Sequence, residues 1–481
     1  MNELVAMQNA VTELMRISPL ADELAGLFSK AGHKLYLVGG SVRDVMLGRG
    51  SHDLDFTTDA RPQQVLDIVR GWADNIWEVG IAFGTVGVTK QGSLLEITTF
   101  RADSYDRVTR NPEVTFGDTI EEDLLRRDFS VNAMAIDLAA KKFVDPYDGM
   151  SALRDRLLDT PATPQESFAD DPLRMLRAAR FAAQLGFTPA PRVVKAMTEM
   201  AGEIDRITAE RVQAELSKLL LADDPRPGLE LMVDTGLAER VLPEVPGMRL
   251  AIDEHHQHKD VYQHSLTVLR QAIELEKTHE PTSEPDLILR LAALLHDVGK
   301  PRTREFQPGG GVSFHHHEVV GAKMARKRLR ELKYSKEIIE SVSQLVFLHL
   351  RFHGYGKGEW TDSAVRRYVT DAGDLLPRLH KLVRADCTTR NRRKAAALQA
   401  TYDQLEERIA RLREQEDLAR VRPDLDGNAI MELLGLQPGP QVGQAWKFLK
   451  ELRLDRGPLD HDEAVAELLK WAAANGITPP A

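Results

Sequence analysis

The chain has 481 residues, 42% of them hydrophobic and 28% charged, which is enough length for about three domains and enough apolar content to bury cores. That composition excludes a wholly disordered or collagen-like chain, and no run of about 18 apolar residues is present to make a transmembrane helix. With 63 basic against 73 acidic residues the net charge is −10, so any nucleic-acid binding must come from local basic patches. The first 30 residues lack the basic start and apolar core of a secretory signal. The single cysteine, Cys387, excludes an intrachain disulfide framework and a CxxC zinc site, and points to a reducing, cytoplasmic compartment.

Leu14, Met15, Ile17, Leu20, Leu24 and Leu27 recur at helical spacing and predict a helix over 12–31. Residues 34–38, KLYLV, read as a short buried strand that Gly39-Gly40 break, and SVRDVML then opens a helix ending at Gly48. A strand is expected at 54–56, a helix near 61–72, and strand-type runs at 76–90 and 94–100. The first 150 residues are therefore mixed α/β, and the texture beyond them is helical almost to the end. Pro/Gly breaks at 189–192, 223–228, 242–247, 307–311 and 437–440 suggest boundaries near 150, 195, 245 and 395, and 396–421 reads as one long charged helix.

The informative stretch runs Leu37-Val-Gly-Gly-Ser-Val-Arg-Asp44-Val-Met-Leu-Gly48, then Asp53-Leu-Asp55-Phe-Thr. Alternate residues of a strand face one side, so Asp53 and Asp55 aim two carboxylates at one spot. Hard cations such as Mg²⁺ take such pairs together with substrate phosphates. Gly39 and Gly40 let backbone approach a phosphate, the helix opening at Ser41 offers free N–H groups, and Arg43 suits a triphosphate. Taken alone, a DxD or a strand-GG-helix junction is also a common surface or turn feature.

The segment GGSVRDVMLGRGSHDLDFTT resembles the signature of the class II tRNA nucleotidyltransferase and bacterial poly(A) polymerase family, a branch of the polymerase β-like superfamily. Two further family motifs follow in order, Arg126-Arg-Asp-Phe-Ser-Val-Asn-Ala-Met134 and Asp170-Asp-Pro-Leu-Arg-Met-Leu-Arg-Ala-Ala-Arg-Phe181. The resemblance implies an α+β fold: a polymerase β-like nucleotidyltransferase head (a small mixed sheet with helices), then an all-helical neck and body and a helical HD domain. It implies that Asp53 and Asp55 hold Mg²⁺ and that Glu96 lies near the RNA 3′-hydroxyl. Gly39, Gly40, Arg43, Arg127, Asp128 and Asn132 would bind ribose and triphosphate. Asp171 and Arg174, with Arg177 and Arg180 further along, would meet the nucleotide, the first two reading the base edge of CTP or ATP. A carboxylate accepts from an exocyclic amine, which cytosine and adenine carry and uracil lacks. Asp171 before Pro172 is equally a helix N-cap, in which case Asp170 is the free carboxylate. The polar loop 101–118 is expected to order on nucleotide and RNA.

The placement of the 15 histidines carries a second pattern. It runs His264, then Leu294-Leu-His296-Asp297-Val-Gly-Lys300-Pro, His315-His316-His317-Glu, His349 and Asp386. Imidazoles and carboxylates suit divalent Mn, Fe, Co, Ni or Zn, and such ions activate water for attack on a phosphoester. The pattern resembles the HD phosphohydrolase superfamily. That implies one metal at His264, His296, Asp297 and Asp386, with His317 and His349 completing a second site or binding phosphate, and Lys300 on phosphate. His255, His256, His258, His315 and His316 read as surface or loop residues.

Residues 321–333 hold six basic residues and one acid, and Arg384, Arg390, Arg392, Arg393 and Lys394 form a second basic cluster. Each is either an RNA contact or a solvated helix face. The stretch 426–443 resembles the tail of HD-bearing family members. The expected organisation is a head over 1–150, a helical neck over 151–245, an HD domain over 246–395 and a helical tail over 396–481. The expected activity is addition of CCA to tRNA from CTP and ATP, with tRNA, CTP and ATP as partners and no membrane. A poly(A) polymerase, an A-adding specialist and an HD phosphohydrolase are the rivals, and a non-enzymatic RNA scaffold would require an inert DxD.

Overall fold

The computed structural model describes residues 19–49, 54–78, 80–81, 84–101, 116–250, 260–308, 311–352, 360–389, 391–416 and 422–479. The chain forms two compact units, residues 1–241 and 242–481. Asp53, His255, His256, His258, Arg390 and most of the 101–118 loop lie outside the described residues.

The first unit begins with α1 (Pro19–Lys30), β1 (Leu35–Val38), α2 (Gly40–Met46), β2 (Leu54–Thr58) and α3 (Pro62–Val69). Strands β3 (Asn75–Trp77), β4 (Thr85–Lys90) and β5 (Ser93–Thr99), helix α4 (Ile120–Leu125), and strands β6 (Ala135–Asp137) and β7 (Lys142–Val144) complete a seven-stranded sheet, in the order β3-β4-β5-β2-β1-β6-β7. Only β2 and β5 run parallel among its pairs. Period-2 alternation explains the layers. Leu35 and Leu37 of β1 pack with Leu24, Phe28, Val42, Phe56 and Ile97 on one face, whereas Tyr36 and Val38 meet Phe100, Ile120 and Leu124 on the other. With both faces covered, β1 is buried throughout. The strand run expected at 76–90 is interrupted: β3 stops at Trp77 and β4 starts at Thr85.

Helices α5 (Gly149–Arg154), α6 (Pro164–Asp170), α7 (Leu173–Leu185), α8 (Pro191–Met200), α9 (Ala209–Leu220), α10 (Arg226–Asp234) and α11 (Leu237–Val241) follow. Thr163 and Glu166 close a capping box with Pro164 at the first position of α6, and Gly186 ends α7 in the left-handed region. Asp171 is extended, as a residue before proline should be, and this separates α6 from α7. This part is not purely helical. The strands β8 (Leu157–Leu158) and β9 (Thr188–Pro189) pair in parallel where Gly186 has ended α7 and prolines keep the chain extended.

The second unit contains α12 (Val261–Thr278), α13 (Leu287–Leu295), α14 (Lys300–Thr303), a hairpin of β10 (Glu305–Gln307) and β11 (Gly311–Ser313), α15 (His317–Glu331), α16 (Lys336–Leu348), α17 (Asp362–Ala372), α18 (Leu376–Ala385) and α19 (Arg392–Gln415). The hairpin is a second departure from the all-helical expectation, turning at the QPGGG break. The last helices, α20 (Gly427–Leu434), α21 (Pro440–Arg456) and α22 (His461–Ala474), bury Ile430, Leu434, Leu449 and Leu468 in a core of their own. Among the described residues no helix is long and apolar enough to cross a membrane.

Close helix contact fixes α7, which carries the arginine series. A Cβ added at Gly228 of α10 would lie 2.3 Å from the Ala179 carbonyl oxygen. Gly228→Ala is therefore expected to destabilise the first unit by about 1–3 kcal/mol, the usual cost of overpacking. Differential scanning calorimetry checks this, and an unchanged transition would contradict the close approach.

Candidate active site and metal centre

In the head, Asp55 of β2 and Glu96 of β5 are direct register partners on the sole parallel pair of the sheet. Their neighbours Leu54, Phe56, Leu95 and Ile97 all enter the opposite core, so both carboxylates share the other face. Like charges side by side on adjacent strands repel, and a hard divalent cation relieves that repulsion. On β4, Gly87 stands opposite Glu96, and the Trp77 indole fills the space, its Nε1 2.2 Å from where a Cβ would be. Only glycine fits there.

The glycine turn sets the start of α2, which carries Arg43. Gly39 has φ 70°, and a Cβ on it would meet an Arg127 guanidinium nitrogen at 2.8 Å. The Ser41 hydroxyl accepts from the Asp55 N–H at 3.2 Å and so ties the start of α2 to β2. Arg43 is buried, donates to Asn132 Oδ1 at 2.6 Å, and pairs with Asp44.

Asp128 is the hub of the next layer. One of its oxygens accepts from the Phe129 N–H at 2.8 Å and the Asn132 amide at 2.9 Å, and the other takes Arg177 Nε at 2.7 Å. Burial would raise its pKa, but the Arg177 charge and the Asn132 hydrogen bond hold it well below the usual carboxylate range. Arg127 pairs with Asp123 at 3.2 Å. The guanidinium groups of Arg43, Arg177 and Arg180 gather around the Phe181 ring, at 5.3, 5.5 and 4.4 Å from its centroid. Burial lowers the Arg180 pKa, and Arg177 lowers it further.

Asp171 behaves as the capping alternative requires. Its Oδ1 accepts from the Leu173 N–H at 3.1 Å, and its Oδ2 pairs with Arg211 at 2.8 Å. Asp170 is half-buried, and desolvation raises its pKa. Arg174 donates to the Ser167 carbonyl and hydroxyl and to the Arg126 carbonyl. Sequence reasoning missed Glu215 and Arg211. Glu215 is buried and faces Arg180 at 3.2 Å and Arg177 at 3.9 Å. Both residues lie on one side of α9, four apart, and that charged stripe on a face turned to α7 was the available signal.

In the second unit, six side chains from five helical segments converge. His264, His296 and Asp386 form one trio of potential ligands, and Asp297, His317 and His349 another. Asp297 stands between the trios. Its Oδ2 is 3.2 Å from His296 Nε2 and 3.5 Å from His264 Nε2, and its Oδ1 is 3.2 Å from His317 Nε2 and 3.8 Å from His349 Nε2. Lys300 lies 3.0 Å from Oδ2. The Nδ1 atoms of His296, His317 and His349 bond the carbonyls of Ala293, Phe314 and Val346 at 2.8, 2.8 and 2.6 Å. Those bonds fix Nδ1–H and turn each Nε2 inward.

The Nε2 atoms of His317 and His349 and both Asp297 oxygens are buried without an aligned hydrogen bond. Unsatisfied acceptors converging on one point are what a divalent cation takes up, so the donor set fits such an ion. Without an ion, burial opposes charging of His296, but the Asp297 carboxylate overrides it and pushes the pKa up to about 10. His349 moves the other way, down to about 3, through burial and the His296 charge.

The basic clusters resolve unevenly. On α15, Arg326, Lys327 and Arg328 have acidic partners. Arg384 is buried against Glu406, Asp403 and Gln399, so it is structural and does not belong to an exposed RNA-binding face.

Family models match three segments: the poly(A) polymerase head domain over 35–159, the probable RNA and SrmB-binding site of polymerase A over 186–248, and the HD domain over 261–391. The chain is 33% identical over 451 residues to the A-adding tRNA nucleotidyltransferase of Deinococcus radiodurans, covering 91% of this chain and 95% of that protein. It is 33% identical over 446 residues to the CC-adding tRNA nucleotidyltransferase of Thermus thermophilus, covering 90% and 93%. This chain belongs to the tRNA nucleotidyltransferase and poly(A) polymerase family. Among solved structures, the Bacillus stearothermophilus CCA-adding enzyme in complex with CTP matches with a TM-score of 0.64 at 24% identity, covering 95% of this chain and 98% of that one. At that identity the match concerns the fold, and it extends the family architecture over nearly the whole chain.

Two consequences of this nucleotidyltransferase-family site are measurable. Asp128→Asn removes the nearer counter-charge of Arg177, leaving Glu215 at 3.9 Å, and is expected to lower the thermal midpoint at pH 7. Because the native pKa of Asp128 is depressed, its contribution is complete above an unfolded value of about 4 and declines as pH falls below that. The melting curves of the wild type and the Asp128→Asn variant should thus converge in acid, and a constant gap from pH 7 to pH 3 would contradict the assignment. In the second unit, His296→Ala is expected to reduce bound transition metal, measured by plasma mass spectrometry after metal loading. It should also remove most of the rise in melting temperature that metal gives the wild type.

Proposed function

We propose that the protein is a template-independent nucleotidyltransferase that adds CCA to the 3′ end of tRNA from CTP and ATP. The observation that carries this is the continuous run from Asp55 through Ser41 to Arg43, Asn132, Asp128 and Arg177. It joins a carboxylate pair to a buried group of guanidiniums. Carboxylates suit a cation and clustered arginines suit a polyphosphate, so one nucleoside triphosphate spans both.

In this reading Arg43, Arg177 and Arg180 take the triphosphate, and Gly39 and Gly40 admit it close to the backbone. Magnesium held by Asp53 and Asp55 would neutralise charge on the reacting phosphate. Glu96 orients the RNA 3′-hydroxyl. The hydroxyl oxygen bonds to the α-phosphorus, the bond to the β-phosphate oxygen breaks, pyrophosphate leaves, and the hydroxyl proton departs on the carboxylate side. Base reading by Asp171 and Arg174 requires both to exchange their present partners, Leu173, Arg211, Ser167 and the Arg126 carbonyl. Selection is therefore coupled to a shift at the α6–α7 junction.

Relatives named A-adding and CC-adding match at equal identity, so the product is read by assay. Transcripts ending before CCA, after C and after CC are incubated with CTP, ATP or both and resolved at single nucleotides. Completion to CCA on all three is expected. A lone A on the CC-ended RNA alone would mean an A-adding specialist, and long A tails on any RNA a poly(A) polymerase. Asp55→Ala should reduce addition by at least about 10³-fold, the scale of a lost electrostatic contact in phosphoryl transfer.

The inward Nε2 atoms favour a second activity in the same chain. A divalent transition ion at the HD centre would activate water against a phosphoester, with Lys300 on the phosphate. His296→Ala should abolish hydrolysis of a generic phosphodiester and leave nucleotide addition intact.

A further inference from the structure

Helices α17 and α21 enclose a groove, with Arg351 at one end, that no part of the reading above uses. Its cavity is about 440 Å³ and is lined by Arg351, Arg367, Thr370, Trp446, Lys447 and Lys450 together with Asp371, Glu451 and Leu454. Trp446 is one of the few large apolar side chains exposed among the described residues, at 37%.

Charge is distributed unevenly along the walls. Arg351 is matched by Asp371 at 2.8 Å, and Arg367 by Glu451 at 2.8 Å and Asp455 at 2.9 Å. Lys447 and Lys450 have no acidic partner among the described residues, and the Lys450 ammonium lies 5.6 Å from the Trp446 ring centroid. The Thr370 hydroxyl, on the opposite wall, is buried and has no hydrogen-bond partner among the described residues. The floor is fixed, because buried Arg366 binds both Glu416 and the Leu454 carbonyl.

We infer that this groove binds a base with its attached phosphate, either as a free nucleotide or as one unit of an RNA strand. An exposed indole offers a flat face for stacking, and two unpaired ammonium groups one helical turn apart offer neutralisation of phosphates. A wall of aliphatic side chains would suit a protein helix instead, but only Leu454 is purely aliphatic here. The cavity is of the size small-ligand sites have. Nothing in this inference depends on the head residues.

The test uses the full chain with two probes, ATP and a short single-stranded RNA, in ultraviolet crosslinking with peptide mapping and in equilibrium binding across salt. Crosslinking to the peptide that contains Trp446 is expected. Trp446→Ala should weaken RNA binding by about tenfold and Trp446→Phe should recover most of the loss, as stacking predicts. Lys447→Ala with Lys450→Ala should reduce the slope of log affinity against log salt by about 1.4, twice the single-strand value per phosphate. Crosslinking of both probes to the Trp446 peptide assigns the site to a free nucleotide, and crosslinking of RNA alone assigns it to a strand. Either supports the inference. No crosslink at Trp446, or unchanged affinity and salt slope in both variants, overturns it. These surface changes leave nucleotide addition at saturating tRNA unaltered, so failure of the transferase reading would show separately as no extension by the wild type.

Discussion

The Asp128 carboxylate is the constraint on which the first unit is organised. A charge buried this completely is tolerable only when its lone pairs are filled and a counter-charge is close. The Phe129 amide, the Asn132 amide and Arg177 meet that requirement from the motif after α4 and from α7. Satisfying one carboxylate therefore fixes the neck helix against the head. Through Asn132 it also sets Arg43 and, behind it, the glycine turn. The arginines in turn share Phe181, so three like charges stand near one ring while Asp128, Asp44 and Glu215 offset them. Such a cluster is already arranged for a polyanion, so binding one demands little reorganisation.

The second unit solves the reverse problem. Buried acceptors are left unsatisfied at the meeting point of α12, α13, α15, α16 and α18, and the donor set there is one that could hold an ion. Elsewhere in the same unit, buried charge is neutralised internally. Arg290, on the apolar helix α13, is fully buried but bonds Glu276 at 2.9 and 2.7 Å. The contrast separates a structural pair from a site: Arg290 and Glu276 satisfy each other, whereas Asp297 and its histidines do not.

Sequence carried the elements whose physics is local. The alternation at β1, the Gly39-Gly40 break and the histidine and aspartate spacing pointed to the head strand, its turn and the His-Asp cluster of the second unit, whereas Asp53 lies outside the described residues and the register partner of Asp55 is Glu96. What it did not carry depends on tertiary partners. Glu215 and Arg211 are ordinary charged residues of an amphipathic helix until α7 packs against them. Gly87 reads as a neutral strand residue until Trp77 crosses it. The role of Asp171 hung on whether α7 began before or after Pro172, and the start at Leu173 turned its carboxylate to the backbone and Arg211. Arg384 looked like part of an exposed basic patch because the acids that pair with it lie 19 and 22 residues away on α19.

The Nδ1 bonds of His296, His317 and His349 all go to main-chain carbonyls three residues earlier. Many proteins orient such imidazoles with a neighbouring carboxylate, which one substitution can delete. Here the orienting group is the peptide itself, at a helix end or first turn. Side chains around the centre are thus free to vary without rotating the rings or altering which nitrogen faces inward. Loss of orientation needs a change in backbone path, such as a proline in the last turn of α13 or α16. The centre is thereby insulated from drift in its surroundings, and what neighbouring substitutions can alter is access to it.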